Sequence, residues 1–299
     1  MSVTAYRGRF APSPTGPIHL GTARSALLGW LRARKEAGVF ILRIEDLDTA
    51  RVKPGAADAM LADLRWLGLD WDEGPDVGGA FGPYVQSARL ERYAEVLAQL
   101  DAAGHVYPCT CSRKEIQAIA SAPHGDEGPV YPGTCRDRPS HPGRPPATRF
   151  RMPDPPPSFV DRLAGPSPEN AGRGDFVVHR KDGAFAYQLA CVVDDHDEGI
   201  TEVVRGDDLI PSTPRQIALY EALGWRPPEF VHLPLVRGPD GERIAKRHGA
   251  ISVRQLRDEG ASAEGLIGRL AHSAGLTDRN APVSAPALID GFALDRIRT

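Results

Sequence analysis

The residues of this sequence that most clearly could take part in a reaction lie in a turn between a short strand and a helix near the N-terminus. A strand-like run at residues 6–11 leads into a turn rich in proline and glycine, and His19, Gly21 and Thr22 open the helix that follows. Unpaired amides and the helix dipole favour phosphate at such a position. Gly21 lets the base of ATP approach the backbone, and His19 can donate to a phosphate oxygen as charge develops. The segment predicts an ATP site, although an isolated His-x-Gly more often marks a plain surface turn.

Three of the four cysteines cluster in the sequence and predict a metal site. Cys109, Cys111 and Cys135 bracket the start of a proline-rich stretch. In a reducing compartment such a cluster indicates a metal rather than a disulfide, and three thiolates supply most of a tetrahedral zinc site. The alternative is two buried thiols and an unrelated third. His124 and His141 are the chemically conventional choices for a fourth ligand.

The composition is that of an ordinary globular protein. Hydrophobic residues make up 41% of the 299 residues, charged residues 25%, and the net charge is −3. These values argue against a disordered or membrane protein and give no global bias toward nucleic acid. No stretch approaches the roughly 20 apolar residues of a membrane span, and the first ten residues lack the apolar core of a signal peptide. We therefore expect a cytoplasmic protein without a membrane partner.

The elements that must position these residues alternate between strand and helix. Ala23, Ala26, Leu27, Trp30 and Leu31 recur at helical spacing, and residues 39–44 form an apolar run typical of a buried strand. Strands are predicted at 6–11, 39–44, 176–180, 200–206 and 230–235, and helices at 20–35, 54–68, 87–103 and 214–223. This alternation predicts an α/β fold with a doubly wound, Rossmann-like parallel sheet.

The alternation breaks at Val106, where prolines become frequent. We therefore predict a Rossmann-like catalytic domain from residues 1–105 and 173–240, with residues 106–172 inserted as a subdomain that zinc stabilises. Residues 241–299 are expected to hold a basic loop and then a short helical region that continues to the end.

Several separated blocks resemble the class I glutamyl-tRNA synthetases, in that family's order. The nucleotide segment reads RFAPSPTG at residues 9–16 and HLGT at 19–22. The other blocks are RIEDLDT at 43–49, YQLACVVDDH at 187–196, VRGDDL at 204–209 and the loop RIAKR at 243–247. The loop is similar to the second class I motif, with Lys246 at its second lysine position and Arg243 at its first, while Ala245 replaces a serine.

The resemblance implies a glutamate pocket beside the ATP site. Two carboxylates and one ammonium require cationic groups and one acid, which Arg9, Arg205 and Glu45 provide, and Tyr187 adds a hydroxyl. Taken singly, each of these residues would be read as part of an ordinary surface ion pair. By resemblance, glutamate is bound by Arg9, Phe10, Ala11, Pro12, Ser13, Glu45, Tyr187 and Arg205. The arginine at 205 reads the side-chain carboxylate, which favours glutamate over glutamine. Cys191 stands where many members carry asparagine.

The same resemblance assigns the chemistry. His19 and Lys246 are implied as the catalytic residues. Those implied to bind ATP are His19, Gly21, Thr22, Arg243 and Lys246, with Mg²⁺ accompanying the nucleotide. The substrate carboxylate attacks the α-phosphorus, so no protein nucleophile is needed.

A short subgroup of the family, the glutamyl-queuosine tRNA(Asp) synthetases, resembles this chain in length and cysteine pattern. In that subgroup a tyrosine, here Tyr131, completes a structural zinc site with the three cysteines, and no anticodon-binding domain follows. The resemblance implies a monomeric ligase that activates glutamate without tRNA and attaches it to the queuosine base of tRNA(Asp). A compact discriminating glutamyl-tRNA synthetase and a catalytically inactive binding module are the alternatives.

Overall fold

The computed structural model describes residues 5–112, 114–116, 130–235 and 251–298. Its strands are β1 (Arg7–Phe10), β2 (Val39–Leu42), β3 (Val106–Cys109), β4 (Ala147–Phe150), β5 (Val160–Asp161), β6 (Gly165–Pro166), β7 (Phe176–His179), β8 (Glu202–Gly206) and β9 (Glu229–Leu233). Its helices are α1 (Leu20–Lys35), α2 (Ala56–Trp66), α3 (Leu90–Ala102), α4 (Tyr187–Asp197), α5 (Thr213–Ala222), α6 (Val253–Asp258) and α7 (Ala263–Ser273).

The centre of the fold is formed by two parallel strand pairs, β1–β2 and β8–β9, which lie side by side in the order β2-β1-β8-β9. Arg7 of β1 pairs with Val39 of β2, and Glu202 of β8 pairs with Glu229 of β9, both in parallel. β1 lies beside β8, where the amide of Thr201 donates to the carbonyl of Arg7 at 2.9 Å. The strand order reverses between β1 and β8, and such a switch point opens a crevice at the carboxyl ends of the strands. The predicted doubly wound sheet is confirmed.

Helix α1 packs on this sheet through the face that its sequence predicted. Ala23, Ala26, Leu27, Trp30 and Leu31 are all at most 3% exposed and belong to the largest apolar cluster of the fold. The cluster also takes in Phe40 and Leu42 of β2. Because α1 is fixed by this packing, its N-terminus is held at the switch point.

The insertion has its own antiparallel sheet, in the order β3-β4-β7. We expected residues 176–180 to resume the parallel sheet, and this was wrong, because β7 pairs antiparallel with β4. A four-residue apolar run fits either sheet, so its local sequence does not select the partner. The hairpin β5–β6 instead packs on the parallel sheet, where the amide of Arg162 donates to the carbonyl of Phe230 at 3.0 Å. The predicted domain boundaries remain a prediction.

Two further expectations need correction. Helix α4 was not predicted as a helix, although it carries Tyr187 at its first position. The chain was expected to be helical to its end, but after α7 only single turns of 3₁₀ helix occur, at Pro286–Leu288 and Leu294–Arg296. Pro282 and Pro286 prevent a longer helix there. Within the described residues, no helix combines the length and apolarity that a bilayer span requires.

A buried ion network joins the end of β2 to α4. The guanidinium of Arg43 is inaccessible to solvent and lies 2.6 Å from Glu198, 2.8 Å from Asp195 and 3.2 Å from Glu45. Burial raises the pKa of Glu198 to about 7, although Arg43 favours its ionised form. Asp194 is a fourth carboxylate, 3.5 Å from Nε of Arg43, so one guanidinium lies within ion-pair distance of four buried carboxylates.

Replacing Arg43 with alanine should destabilise the fold strongly, because buried carboxylates would lose their cation. We expect a loss of about 3–5 kcal/mol in the free energy of unfolding, measured by urea denaturation. Arg51→Ala is the matched control, because Arg51 is 72% exposed and lies 3.9 Å from Asp48. That change should cost less than about 1 kcal/mol. Equal losses in the two variants would contradict a structural role for the network.

Candidate active site

A cavity of about 280 Å³ lies at the carboxyl ends of β1 and β8, at the predicted switch point. It brings together nine residues singled out from the sequence: Arg9, Phe10, Ala11, Pro12, Gly21, Thr22, Glu45, Tyr187 and Arg205. Seven of the eight predicted glutamate residues and two of the predicted ATP residues, Gly21 and Thr22, therefore line one cavity, which we call the central cavity. His19 is not among the residues that line it. Ser13, predicted with this group, lines a neighbouring cavity instead.

The sequence interpretation missed part of the lining of the central cavity. The additional residues are Ser25, Val204, Gly206, Asp208, Leu209 and Leu235. A Cβ atom at Gly206 would lie 2.6 Å from Oδ1 of Asp208 and 3.0 Å from Cδ2 of Leu235, so a larger residue here would require these side chains to move. A glycine at the end of a predicted strand was the available signal for it.

Arg205 contributes a positive charge that the neighbouring protein does not neutralise. Its side chain is buried at 6% exposure, and its nitrogens donate to Nε2 of His232 (3.1 Å), Oε1 of Gln216 (2.8 Å) and Oγ1 of Thr213 (2.7 Å). Longer contacts reach the hydroxyl of Tyr187 and the carbonyl of Leu209. Among the described residues, no carboxylate lies within ion-pair distance of this guanidinium. A buried cation with only neutral partners favours an anionic ligand.

Arg9, the other arginine of the cavity, is already paired. Its Nε and Nη2 donate to the two oxygens of Asp195, at 3.1 and 3.5 Å. Burial disfavours the charge, but Asp195 outweighs burial and raises the pKa of Arg9. We expected both arginines to bind a substrate carboxylate through two parallel hydrogen bonds. At Arg9, Nε and Nη2 instead donate to the carboxylate of Asp195. Cys191 lies behind this pair, with Sγ 3.5 Å from Asp195, and lines neither cavity.

Glu45 and Tyr187 stand at the boundary between the central cavity and its neighbour, and line both. Oε1 of Glu45 accepts from Nη2 of Arg43 at 3.2 Å. Burial raises the pKa of Glu45 despite the nearby arginines, so an ammonium group beside it would restore its preference for the charged form. Burial likewise raises the pKa of Tyr187, which keeps its phenol protonated.

The nucleotide segment is anchored to the chain that follows the basic loop. His19 is the N-cap residue of α1 and forms an antiparallel bridge with Ser252, and the amide of Val253 donates to the carbonyl of Ile18 at 2.8 Å. A Cβ atom at Gly21 would meet no protein atom within 4 Å, so the cavity is open at this point. Arg243 and Lys246 lie outside the described residues.

The neighbouring cavity is larger, at about 820 Å³, and lies between the central cavity and the insertion. Besides Ser13, Glu45 and Tyr187, its lining includes Arg149, Arg180 and Lys181, together with Cys109 and Cys111. Its lining also includes the carboxylates of Asp48 and Asp182, and Arg180 lies 2.5 Å from Asp182, so basic and acidic groups both face this cavity. The two shared residues make it continuous with the central cavity. We call it the outer cavity.

The three clustered cysteines form a group that can bind a metal ion. The Sγ atoms of Cys109, Cys111 and Cys135 lie within 4.8 Å of one another. Zinc–sulfur bonds of about 2.3 Å would set thiolates about 3.8 Å apart in a tetrahedron, close to this spacing. Burial opposes ionisation of Cys135, but hydrogen bonds from Ser140 and Tyr131 prevail and lower its pKa to about 5.

The fourth position of this group faces an oxygen atom. The hydroxyl of Tyr131 lies 3.4 Å from Sγ of Cys109 and 3.6 Å from Sγ of Cys111. His141 instead directs Nε2 toward Glu115, at 3.1 Å, and His124 lies outside the described residues. The hydroxyl of Ser140 also lies 3.3 Å from Sγ of Cys135 and 3.5 Å from Sγ of Cys111. The donors at this group are therefore three thiols with the hydroxyls of Tyr131 and Ser140 beside them.

Comparisons with known proteins agree with this geometry. Residues 5–281 match the family described as tRNA synthetases class I (E and Q), catalytic domain. A Glutamyl-Q tRNA(Asp) synthetase from Symbiobacterium thermophilum is 56% identical, over 97% of this chain and 93% of that protein. One of the same description from Nitratidesulfovibrio vulgaris is 53% identical, over 90% and 86%. A solved glutamate tRNA ligase from Elizabethkingia meningosepticum, in complex with its amino acid, is 32% identical with a TM-score of 0.83. It is matched over 98% of this chain but only 66% of its own length.

The cysteine group should bind one metal ion per chain. Protein treated with a chelator and titrated with Co²⁺ is expected to develop thiolate-to-metal charge-transfer absorption that saturates at one equivalent. Cys135→Ser should weaken Co²⁺ binding at least about tenfold. Cys191→Ser is the matched control and should bind normally, because Sγ of Cys191 contacts Asp195 and not the group. Absence of the absorption, or equal weakening in both variants, would contradict the assignment.

Proposed function

The chain belongs to the class I tRNA synthetases for glutamate and glutamine, and from this premise we propose that it activates glutamate with ATP and transfers it to the queuosine base of tRNA(Asp). The observation that carries the proposal is the buried guanidinium of Arg205 in the wall of the central cavity, which pairs with no carboxylate among the described residues. The enzyme is a ligase that forms an aminoacyl adenylate without needing tRNA for that step.

Arg205 supports glutamate as the substrate. A side-chain carboxylate placed against it would neutralise the buried charge, whereas the neutral amide of glutamine would leave the charge unpaired. Leaving such a group unsatisfied costs about 1–3 kcal/mol or more, which corresponds to roughly tenfold or greater discrimination. Glu45 then accepts from the α-ammonium.

The adenylate forms by attack of the substrate carboxylate on the α-phosphorus of ATP, with departure of pyrophosphate. The protein contributes position and charge rather than a nucleophile. His19, at the N-cap of α1, donates to a phosphate oxygen, and Lys246 stabilises the departing pyrophosphate with Arg243. Mg²⁺ bound to ATP would offset the remaining phosphate charge.

The outer cavity suits the acceptor. It shares Glu45 and Tyr187 with the central cavity, so an adenylate would present its carbonyl at the boundary between the two. The acceptor group of a base that enters the outer cavity attacks this carbonyl and releases AMP. Arg149, Arg180 and Lys181 would meet the phosphates of the RNA. The names of relatives at 56% and 53% identity support queuosine of tRNA(Asp) as that acceptor.

We further propose that the metal is one structural zinc, held by Cys109, Cys111, Cys135 and Tyr131. The donor set is chemically suited to a closed tetrahedral site, which would fasten β3 to the proline-rich part of the insertion. A monomeric state and a cytoplasmic location remain predictions from the sequence.

One transfer assay tests the function. Labelled glutamate and ATP are supplied with tRNA(Asp) carrying queuosine, with the same tRNA lacking it, and with tRNA(Glu). We expect label only on the first RNA, and glutamate-dependent exchange of pyrophosphate into ATP without any RNA. Label on tRNA(Glu) would instead support a compact glutamyl-tRNA synthetase. If no exchange occurs, the chain is an inactive binding module.

Gly21→Ala should separate ATP binding from stability. The new methyl group meets no protein atom and replaces a flexible residue within a helix, so the melting temperature should not fall. It occupies the space proposed for ATP, so the KM for ATP in pyrophosphate exchange should rise at least about tenfold, which is about 1.4 kcal/mol of binding. Gly143→Ala is the control, because its Cβ also meets open space but lines neither cavity. An unchanged KM for ATP would place the nucleotide elsewhere.

A further inference from the structure

A carboxylate from the hairpin β5–β6 reaches the sheet behind the central cavity. Asp161 is 3% exposed, and its oxygens accept from the backbone amides of Leu163, Ala164 and His232, at 2.8–3.2 Å. Oδ2 also lies 2.6 Å from Nδ1 of His232. Burial opposes ionisation, but these donors prevail and lower the pKa of Asp161. The group is therefore an anion that only accepts hydrogen bonds.

Two independent contacts fix the tautomer of His232, which is 1% exposed. An ionised Asp161 can only accept, so Nδ1 carries the proton. Nε of Arg205 can only donate, so Nε2, at 3.1 Å, must be unprotonated. The hydroxyl of Thr213 lies at the same nitrogen, also at 3.1 Å. Burial, with Arg205, lowers the pKa of His232 against the opposite effects of Asp161 and Asp207, which favours the neutral ring.

We propose that Asp161 and His232 form a positioning couple that orients Arg205 while leaving its charge available to the substrate. This inference rests on the proposed function. Asp161 and His232 touch neither the central cavity nor the reacting atoms, and they act through the guanidinium of Arg205. The couple thereby sets the preference of the central cavity for an acid over an amide.

The contrast with Arg9 gives the physical reason. Asp195 contacts Arg9 directly and neutralises its charge. The guanidinium of Arg9 therefore gains little from binding a further anion. At Arg205 a neutral imidazole stands between the cation and its carboxylate. The ring transmits the orientation through two hydrogen bonds, while the extra distance weakens the Coulomb attraction. The guanidinium is held in place and still needs a carboxylate from the ligand.

The couple also links the insertion to the specificity of the catalytic sheet. Asp161 lies on the hairpin β5–β6, within the predicted insertion, while Arg205 and His232 lie on β8 and β9. The hairpin is held on β9 by its backbone and by Arg162, whose Nη1 lies 2.6 Å from Glu229. The side chain of Arg162 pairs with Glu202 and Glu229 and makes no hydrogen bond or ion pair with His232 or Arg205, which makes it a suitable control.

Asp161→Asn tests the couple with little change in volume. The amide nitrogen of asparagine would donate to Nδ1 and drive the ring proton to Nε2, where Nε of Arg205 already donates. In ¹⁵N spectra of the imidazole we expect the wild-type proton on Nδ1 and the variant proton on Nε2. By calorimetry, the Kd for glutamate should rise at least tenfold, while the Kd for ATP stays within twofold. The preference for glutamate over glutamine should fall.

Two further variants separate orientation from folding. Arg162→Ala loosens the hairpin but keeps the couple, so it should leave the Kd for glutamate within threefold. In His232→Gln the amide oxygen can accept from Arg205 without any tautomer to control, so adding Asp161→Asn to that background should change the Kd by less than twofold. A tenfold loss in Arg162→Ala, or an undiminished effect of Asp161→Asn beside His232→Gln, would overturn the couple.

The two proposals fail in different ways. A wild-type spectrum with the proton on Nε2 contradicts the couple whatever the enzyme does. Normal glutamate binding by Asp161→Asn contradicts it as well. Wild-type protein that binds no glutamate contradicts the proposed function instead, and in that case the tautomer measurements still decide whether the couple exists.

Discussion

The guanidinium of Arg43 has no access to water, so all its hydrogen-bond acceptors must come from the protein. These acceptors lie just after β2 and at the C-terminal end of α4. The contacts of Arg43 with Glu45, Asp195 and Glu198 fix α4 against the end of the central sheet. That placement brings Asp195 to Arg9 and sets Tyr187, the first residue of α4, at the boundary between the two cavities. The shape of the candidate site thus depends on this one buried cation.

Within the site, two arginines of the same residue type have different roles because their partners differ. Arg9 is neutralised by a direct carboxylate and acts as part of the wall. Arg205 has only neutral acceptors among the described residues and keeps its demand for an anion. In the proposed function, charge compensation, rather than the presence of arginine, determines which of the two selects the substrate.

The insertion contributes to the site in two ways. Near its start, the cysteine group lies beside the outer cavity and, with Tyr131, forms the proposed metal site. Farther along the chain, its hairpin returns to the parallel sheet and places Asp161 behind His232. The insertion can therefore support both the outer cavity and the central cavity.

The sequence by itself determined the parallel sheet, the helix α1 with its buried face, the cysteine group and most of the lining of the central cavity. Periodicity and motif spacing act over a few residues, so they can be read locally. Only the tertiary structure decided that β7 joins the antiparallel sheet of the insertion. It also decided that Asp195 pairs with Arg9, 186 residues away in the sequence, and that Asp161 pairs with His232, 71 residues away. The packing of distant segments determines which of several side chains of the same type makes such a contact. Local sequence patterns do not contain this information.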